Sequence, residues 1–252
     1  MSGEPIRIFD SQGDEYRRAF QVFLDHTDQK RNARRWLQGL LDRLPSRNVF
    51  VDAGAGSGEV TAWLAGSFRR TIAVEPNPLF CEQLRQRLPE AVVLNQPIQT
   101  ATPLEPGDLV LCSHTFYYVD RSQWLASLER LASWLSPDGT VVLVLQNRDT
   151  DCMAMLERFG GQRYDLAGLG EAFRRKHGSR YDVRLDLDEA HVETRDLDAA
   201  YWIAEFMLNL APLAHPPLRA DVEAYVRTRF ATGDGRYRFS NHQDFLQIRP
   251  RR

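Results

Sequence analysis

The run NVFVDAGAGSGEVTAWL, residues 48–64, decides the fold. Val49-Phe50-Val51 is a short apolar segment with β-branched ends, which reads as a buried strand. It closes on Asp52. Gly54-Ala55-Gly56-Ser57-Gly58 then opens onto Glu59–Leu64, a helix-forming stretch. Strand, glycine-rich turn and helix are how a doubly wound sheet brings bare backbone to a ligand, with the helix N-terminus aimed at it. A second strand, Thr71–Val74, ends in Glu75, seventeen residues after Gly58. An acid at about that distance takes the two ribose hydroxyls of an adenosine. The expectation is a Rossmann-like α/β sheet built around an adenosine-containing cofactor.

The glycine spacing separates the cofactors. A dinucleotide fingerprint needs a third glycine where this chain has Glu59, and its last glycine, Gly58, falls one residue early. A carboxylate in the first helical turn suits the helix dipole but would meet a pyrophosphate with like charge. The pattern V-D-x-G-x-G-x-G-E at Val51–Glu59 instead resembles the first motif of class I S-adenosylmethionine-dependent methyltransferases. That resemblance implies S-adenosyl-L-methionine as cofactor, a seven-stranded sheet, and acidic groups facing a sulfonium and an α-amino group. The implied cofactor contacts are Asp52, Gly54, Gly56, Gly58 and Glu75, continuing into Pro76 and Asn77. Asn95-Gln96, after a third strand at Ala91–Leu94, occupies the place where this fold puts polar contacts to adenine, and Gln96 joins the set.

The remaining chain fits one domain of 252 residues, with a net charge of −2 and 43% hydrophobic residues. No basic stripe points to nucleic acid, and no apolar run of membrane length or leader segment is seen, so a cytoplasmic protein is expected. Cys81, Cys112 and Cys152 lack metal-ligand spacing and read as reduced packing residues, with no metal site. Residues 1–45 form a helical lid segment, 46–150 the cofactor-binding core and 151–252 a substrate-side half. Tyr16, Phe20, Phe23 and Leu24 repeat at helical spacing. They are either a helix face packed on the sheet or a cap over the cofactor cleft. A fourth strand, Asp108–Cys112, exits into Ser113-His114-Thr115-Phe116-Tyr117-Tyr118. The ligand crevice of an open sheet lies at such carboxyl ends, so Ser113, His114, Tyr117 and Tyr118 are site candidates. Ser122 is the expected cap of a helix reaching Trp134, and Thr140–Leu145 the fifth strand. Tyr181–Leu187 alternates as a strand. Two helices at Ala199–Leu210 and Leu218–Phe230, separated by Pro212, Pro216 and Pro217, form an insertion before the last strand.

Three stretches add a narrower resemblance: FDSQGDEYRRAFQVFLDHT (Phe9–Thr27), SHTFYYV (Ser113–Val119) and RFSNHQDFLQI (Arg238–Ile248) are similar to histamine N-methyltransferase. The resemblance implies a cofactor contact at Ser113 and a pocket walled by Phe9, Tyr16, Phe20, Tyr117 and Tyr118. It places polar contacts to the accepting amine at Asp28, Gln29, His114 and Asn241. Two of the family's three positions differ in residue type here, Asn241 being the match. The function implied is methyl transfer to a small molecule at an amine nitrogen. The alternatives are O- or carboxyl-methylation, cyclisation of the cofactor's own aminobutyrate chain, and non-catalytic cofactor binding by a regulatory protein.

Overall fold

In the computed structural model, which describes residues 3–10, 13–210 and 213–251, the chain opens with α1 (Asp14–His26) and α2 (Gln29–Leu41). Then come β1 (Val49–Ala53), α3 (Glu59–Ala65), β2 (Arg70–Val74), α4 (Pro78–Arg87), β3 (Val92–Leu94) and β4 (Gly107–Ser113). α5 (Trp124–Ser133), β5 (Leu135–Gln146), α6 (Asp151–Gly160), α7 (Leu166–His177), β6 (Tyr181–Asp188) and β7 (His191–Thr194) follow. The chain ends with α8 (Leu197–Leu208), α9 (Arg219–Arg229), β8 (Tyr237–Ser240) and β9 (Gln243–Pro250). Ser11 and Gln12 of the leading segment, and Pro212, lie outside the described residues.

Seven strands make one sheet in the order β3-β2-β1-β4-β5-β9-β6, as expected for the fold. β1 is parallel to β2 and β4, β2 to β3, and β4 to β5. Every residue of β1 is buried, because a parallel strand is covered on both faces and must be apolar along its length; Asp52 is the exception. Strand order reverses between β1 and β4, so the carboxyl ends of these neighbours flank the crevice. β7 and β8 pair antiparallel in a separate two-stranded sheet.

Two compact units partition the chain. One holds residues 38–145, 166–186 and 244–252, and carries most of the large sheet. The other holds residues 1–37, 146–165 and 187–243. Its centre is α8, buried along nearly its whole length and packed against α1, α6, α9 and β7. A helix apolar on all sides requires such surrounding cover. The aromatic stripe of α1 meets it: the rings of Tyr16, Phe20 and Phe23 lie 5.5–5.6 Å from Phe206. The stripe therefore packs on a helix.

Three local expectations are corrected. Ser122 does not cap a helix; Asp120 accepts from both the backbone N (2.8 Å) and the hydroxyl of Ser122, forming a short 3₁₀ turn before α5. The carboxylate two residues earlier takes both donors. β5 begins at Leu135, because Leu135 pairs with Gly107 through a register shift in β4. In β6 the alternation lapses: Leu185 and Leu187 are exposed, while Asp186 accepts from Gln247 Nε2 at 2.9 Å. β6 is the outermost strand, and β9 offers a polar partner there that satisfies the acid.

Candidate functional site

The glycine turn adopts a conformation that only glycine takes easily. Gly54, Gly56 and Gly58 have φ of +84°, +53° and +82°. A methyl group on Gly58 would fall 2.6 Å from Leu84 Cδ2, whereas one on Gly56 would meet nothing within 4 Å. The backbone at Gly56 thus faces open space beside the sheet's carboxyl end. Glu75 closes the arrangement: Oε2 accepts from Gly56 N and Oε1 from Asn77 N, each at 2.9 Å. Each oxygen retains a lone pair for a further donor. Asn95 Nδ2 donates to the Glu75 and Pro76 carbonyls at 3.1 and 2.9 Å, and Asn77 Oδ1 caps α4 through Leu79 N at 2.9 Å. Turn and acid form one hydrogen-bonded piece. Pro76 and Gln96 lie exposed beside it.

Asp52 sits at the end of β1, 3% exposed, and accepts from the Thr61 hydroxyl at 2.7 Å. Burial pushes its carboxyl up to about 7; the Thr61 hydrogen bond pulls it back and the charge of Glu75 adds to the rise. A cation arriving nearby would favour its ionised form.

At the exit of β4, Ser113 is half-buried and His114 takes φ +56°, the one positive value outside glycine among the described residues. Such backbone costs of order 1–3 kcal/mol and clusters at functional sites. The His114 ring stacks on Tyr117, with centroids 5.8 Å apart and planes 20° from parallel. Its Nδ1 lies 3.4 Å from the Tyr117 hydroxyl; the donor depends on the imidazole tautomer. Tyr117 is buried and Tyr118 is 70% exposed, so the adjacent phenols occupy different surroundings.

The other unit gathers Asp28, Gln29 and Asn241. Asn241 is fully buried. Its Nδ2 donates to Thr27 Oγ1, and its carbonyl accepts from Gln29 Nε2, both at 3.0 Å. Asp28 Oδ1 accepts from His191 N at 2.8 Å, tying the start of α2 to β7. Among the described residues the Oδ1 of Asn241 has no hydrogen-bond partner. Phe9 is half-buried, its N–H donating to Asn209 Oδ1 at 2.9 Å. Tyr16 and Phe20 lie on the α1 face already described.

The structure therefore brings Asp52, the three glycines, Glu75 and Asn77 together in one unit, near Ser113, His114 and Tyr117. It assembles Asp28, Gln29 and Asn241 in the other. Thr27, Thr61 and Thr115 were not foreseen. No motif flags a lone threonine; Thr27 and Thr115 meet partners on distant segments, Asn241 and Ala53, and Thr61 meets Asp52 across the glycine turn. Among the described residues no group of three or more His, Cys, Asp or Glu is placed to hold a metal ion, and no helix is long and apolar enough to cross a membrane. Cys81, Cys112 and Cys152 are free and buried.

The family model for the methyltransferase domain matches residues 24–191. An uncharacterized methyltransferase of Mycobacterium bovis is 32% identical over 101 residues, covering 39% of this chain and 40% of the relative. One from Bacillus licheniformis is 26% identical over 118 residues, covering 44% and 55%. The chain thus matches about half or less of the length of these curated relatives. Among solved structures, a putative methyltransferase of Bacillus halodurans superposes with a TM-score of 0.59 at 11% identity, covering 94% of this chain and 99% of that one. The N-methyltransferase NodS of Bradyrhizobium japonicum, solved with S-adenosyl-L-homocysteine, gives 0.54 at 14% identity, covering 95% and 100%.

Proposed function

The chain belongs to the methyltransferase-domain family, and on that premise we propose that it is an S-adenosylmethionine-dependent methyltransferase acting on a small molecule at an amine nitrogen. Open backbone at Gly56, spare lone pairs on Glu75 for two ribose hydroxyls, and the buried acid Asp52 near them support the cofactor. When bound, S-adenosylmethionine supplies a methyl carbon already activated by a sulfonium, so the protein's task is to position and to exclude water. On this reading Glu75 holds the ribose, Asp52 balances positive charge, and Ser113, Pro76, Asn77 and Gln96 complete the surroundings.

The observation that carries the amine reading is Asn241 Oδ1, an acceptor in a fully buried side chain without a donor. An orphaned acceptor costs roughly 1–3 kcal/mol, and a substrate N–H would relieve it. Gln29 and Asp28 hold this element in place. His114 and Tyr117 orient the nucleophile or take its proton, and the resemblance assigns aromatic faces for a developing ammonium to Phe9, Tyr16, Phe20, Tyr117 and Tyr118. The resemblance to histamine N-methyltransferase supports the same residues. A cytoplasmic setting accords with three buried free thiols.

The test incubates purified protein with S-adenosylmethionine, with and without a panel of small amines, and reads the products by mass spectrometry. S-adenosylhomocysteine formed only with an amine is expected. Methylthioadenosine formed from the cofactor alone would replace methyl transfer by chemistry on the aminobutyrate chain. Binding of the cofactor without turnover on any acceptor would favour a regulatory protein.

A further inference from the structure

Thr115 stands one residue beyond His114, where β4 leaves the sheet, and its side chain turns back beneath the glycine turn. A methyl group placed on Gly54 would fall 2.2 Å from Thr115 Oγ1, 2.6 Å from its Cγ2 and 2.9 Å from its Cβ. No real Cβ could occupy that space against a β-branched side chain. The Thr115 hydroxyl lies 3.3 Å from the carbonyl oxygens of both Ala53 and Ser113. One side chain thus spans the exits of β1 and β4, which are neighbours in the sheet. His114, immediately before it, has left-handed backbone at φ +56°. Gly54 is held from the other side as well, its N–H donating to Val74 O at 2.8 Å.

We infer that Thr115 is a positioning residue for cofactor binding: it locks the Gly54 turn and the His114 backbone into one register. The inference rests on the reading of the glycine turn as the cofactor site. It gives the strained residue beside that turn a role, since His114 directly precedes the side chain that contacts Gly54. It adds a steric cause to the positive φ that already reserves position 54 for glycine. Both the volume and the hydroxyl of Thr115 take part, the first by filling the space that Gly54 leaves and the second by bonding the exit carbonyls.

The test is S-adenosylmethionine binding by calorimetry, with thermal unfolding and circular dichroism on the same samples. Thr115→Ala is expected to weaken binding about tenfold, the loss of one buried contact and hydrogen bond, while Thr115→Ser stays within about threefold. Gly54→Ala is expected to lose about a hundredfold or more, and the Gly54→Ala/Thr115→Ala pair to lose about threefold or more less than the two single losses combined, because the new methyl enters the vacated space while the strain of an alanine at φ +84° is common to both. A purely structural role would lower the unfolding temperature of each variant without this compensation. If Thr115→Ala does not fold, Thr115→Val, which keeps the volume and loses the hydroxyl, is read in its place. Wild-type affinity in Thr115→Ala, or losses that simply add in the double variant, overturns the inference. Glu75→Ala separates the two levels. Undiminished binding by that variant overturns the site reading and the inference together, whereas weak binding by Glu75→Ala beside undiminished binding by Thr115→Ala overturns the inference alone.

Discussion

Asp52 is the residue at which burial and charge are most closely balanced. Its carboxyl titrates near 7 in the folded chain, raised first by desolvation and further by Glu75, so the fold holds the proton more tightly than the unfolded chain does. The stability it contributes is fully present below about pH 4 and is lost as the pH rises through about 7. Asp52→Asn should therefore unfold at a higher temperature than wild type at about pH 8 and at a similar one at about pH 4. Calorimetric unfolding at the two pH values checks this; a variant less stable than wild type at the higher pH would contradict the account. Binding has the opposite sign. A cationic ligand favours the ionised acid, so S-adenosylmethionine should bind with release of a proton, more tightly as the pH rises from about 5.5 to about 8. Titration in buffers of different ionisation enthalpy measures that proton directly. Glu75 makes a simpler prediction: Glu75→Gln keeps the shape but loses the charge and one acceptor, and its cofactor affinity should fall by about ten- to a hundredfold, consistent with a charged hydrogen bond.

Among the elements, α8 has the most unusual content. Glu205 is 1% exposed on a helix otherwise buried through apolar side chains. It is satisfied by the backbone N (2.8 Å), Nε (3.0 Å) and Nη2 of Arg7 and by the Tyr201 hydroxyl at 2.9 Å. The Arg7 guanidinium also lies over the Trp202 ring, 3.8 Å from its centroid. The leading segment is held at further points, with Ile6 N donating to Pro217 O at 2.9 Å and Asn209 Nδ2 to Arg7 O at 3.0 Å. Arg7→Ala leaves a buried carboxylate without its cation and should cost on the order of 3 kcal/mol. Replacing Glu205 by Leu in the same chain should restore most of that loss, because the uncompensated charge goes with it. Urea unfolding of both variants measures the coupling, and additive losses would show that the pair acts separately. Sequence periodicity located α8 to within two residues at each end, since an apolar helix announces its length. It did not reveal why an acid is tolerated inside it. The counter-ion comes from a residue 198 positions away.

For the whole molecule, ligand binding and folding are linked. At about one hundred times its dissociation constant, S-adenosylmethionine should stabilise the native chain by about 2.7 kcal/mol. A thermal-shift series against cofactor concentration checks this, and Glu75→Ala should respond much less at the same concentrations. An equal shift in that variant would place the ligand elsewhere. The large sheet and the glycine turn were legible in the linear chain because their causes are local. Apolar runs make buried strands, glycine alone takes φ above zero without cost, and an acid that ends a strand stands at the crevice. Site residues that act through their neighbours were not legible. Thr61 reaches Asp52 across a strand–helix contact, Thr115 reaches Gly54 across two strand exits, and Gln29 reaches the carbonyl of Asn241 across 212 residues. The aromatic stripe on α1 showed that a face must be covered but not that Phe206 covers it. The sequence by itself determined the strand–turn–helix motif, the acid that follows it and the class of fold, through conformational preferences carried by each residue. Tertiary structure alone decided which acid is buried and has its carboxyl pushed up to about 7, which threonine backs the turn and which amide oxygen is left without a donor among the described residues. Those depend on which side chains meet when strands and helices pack, and no local pattern encodes that meeting.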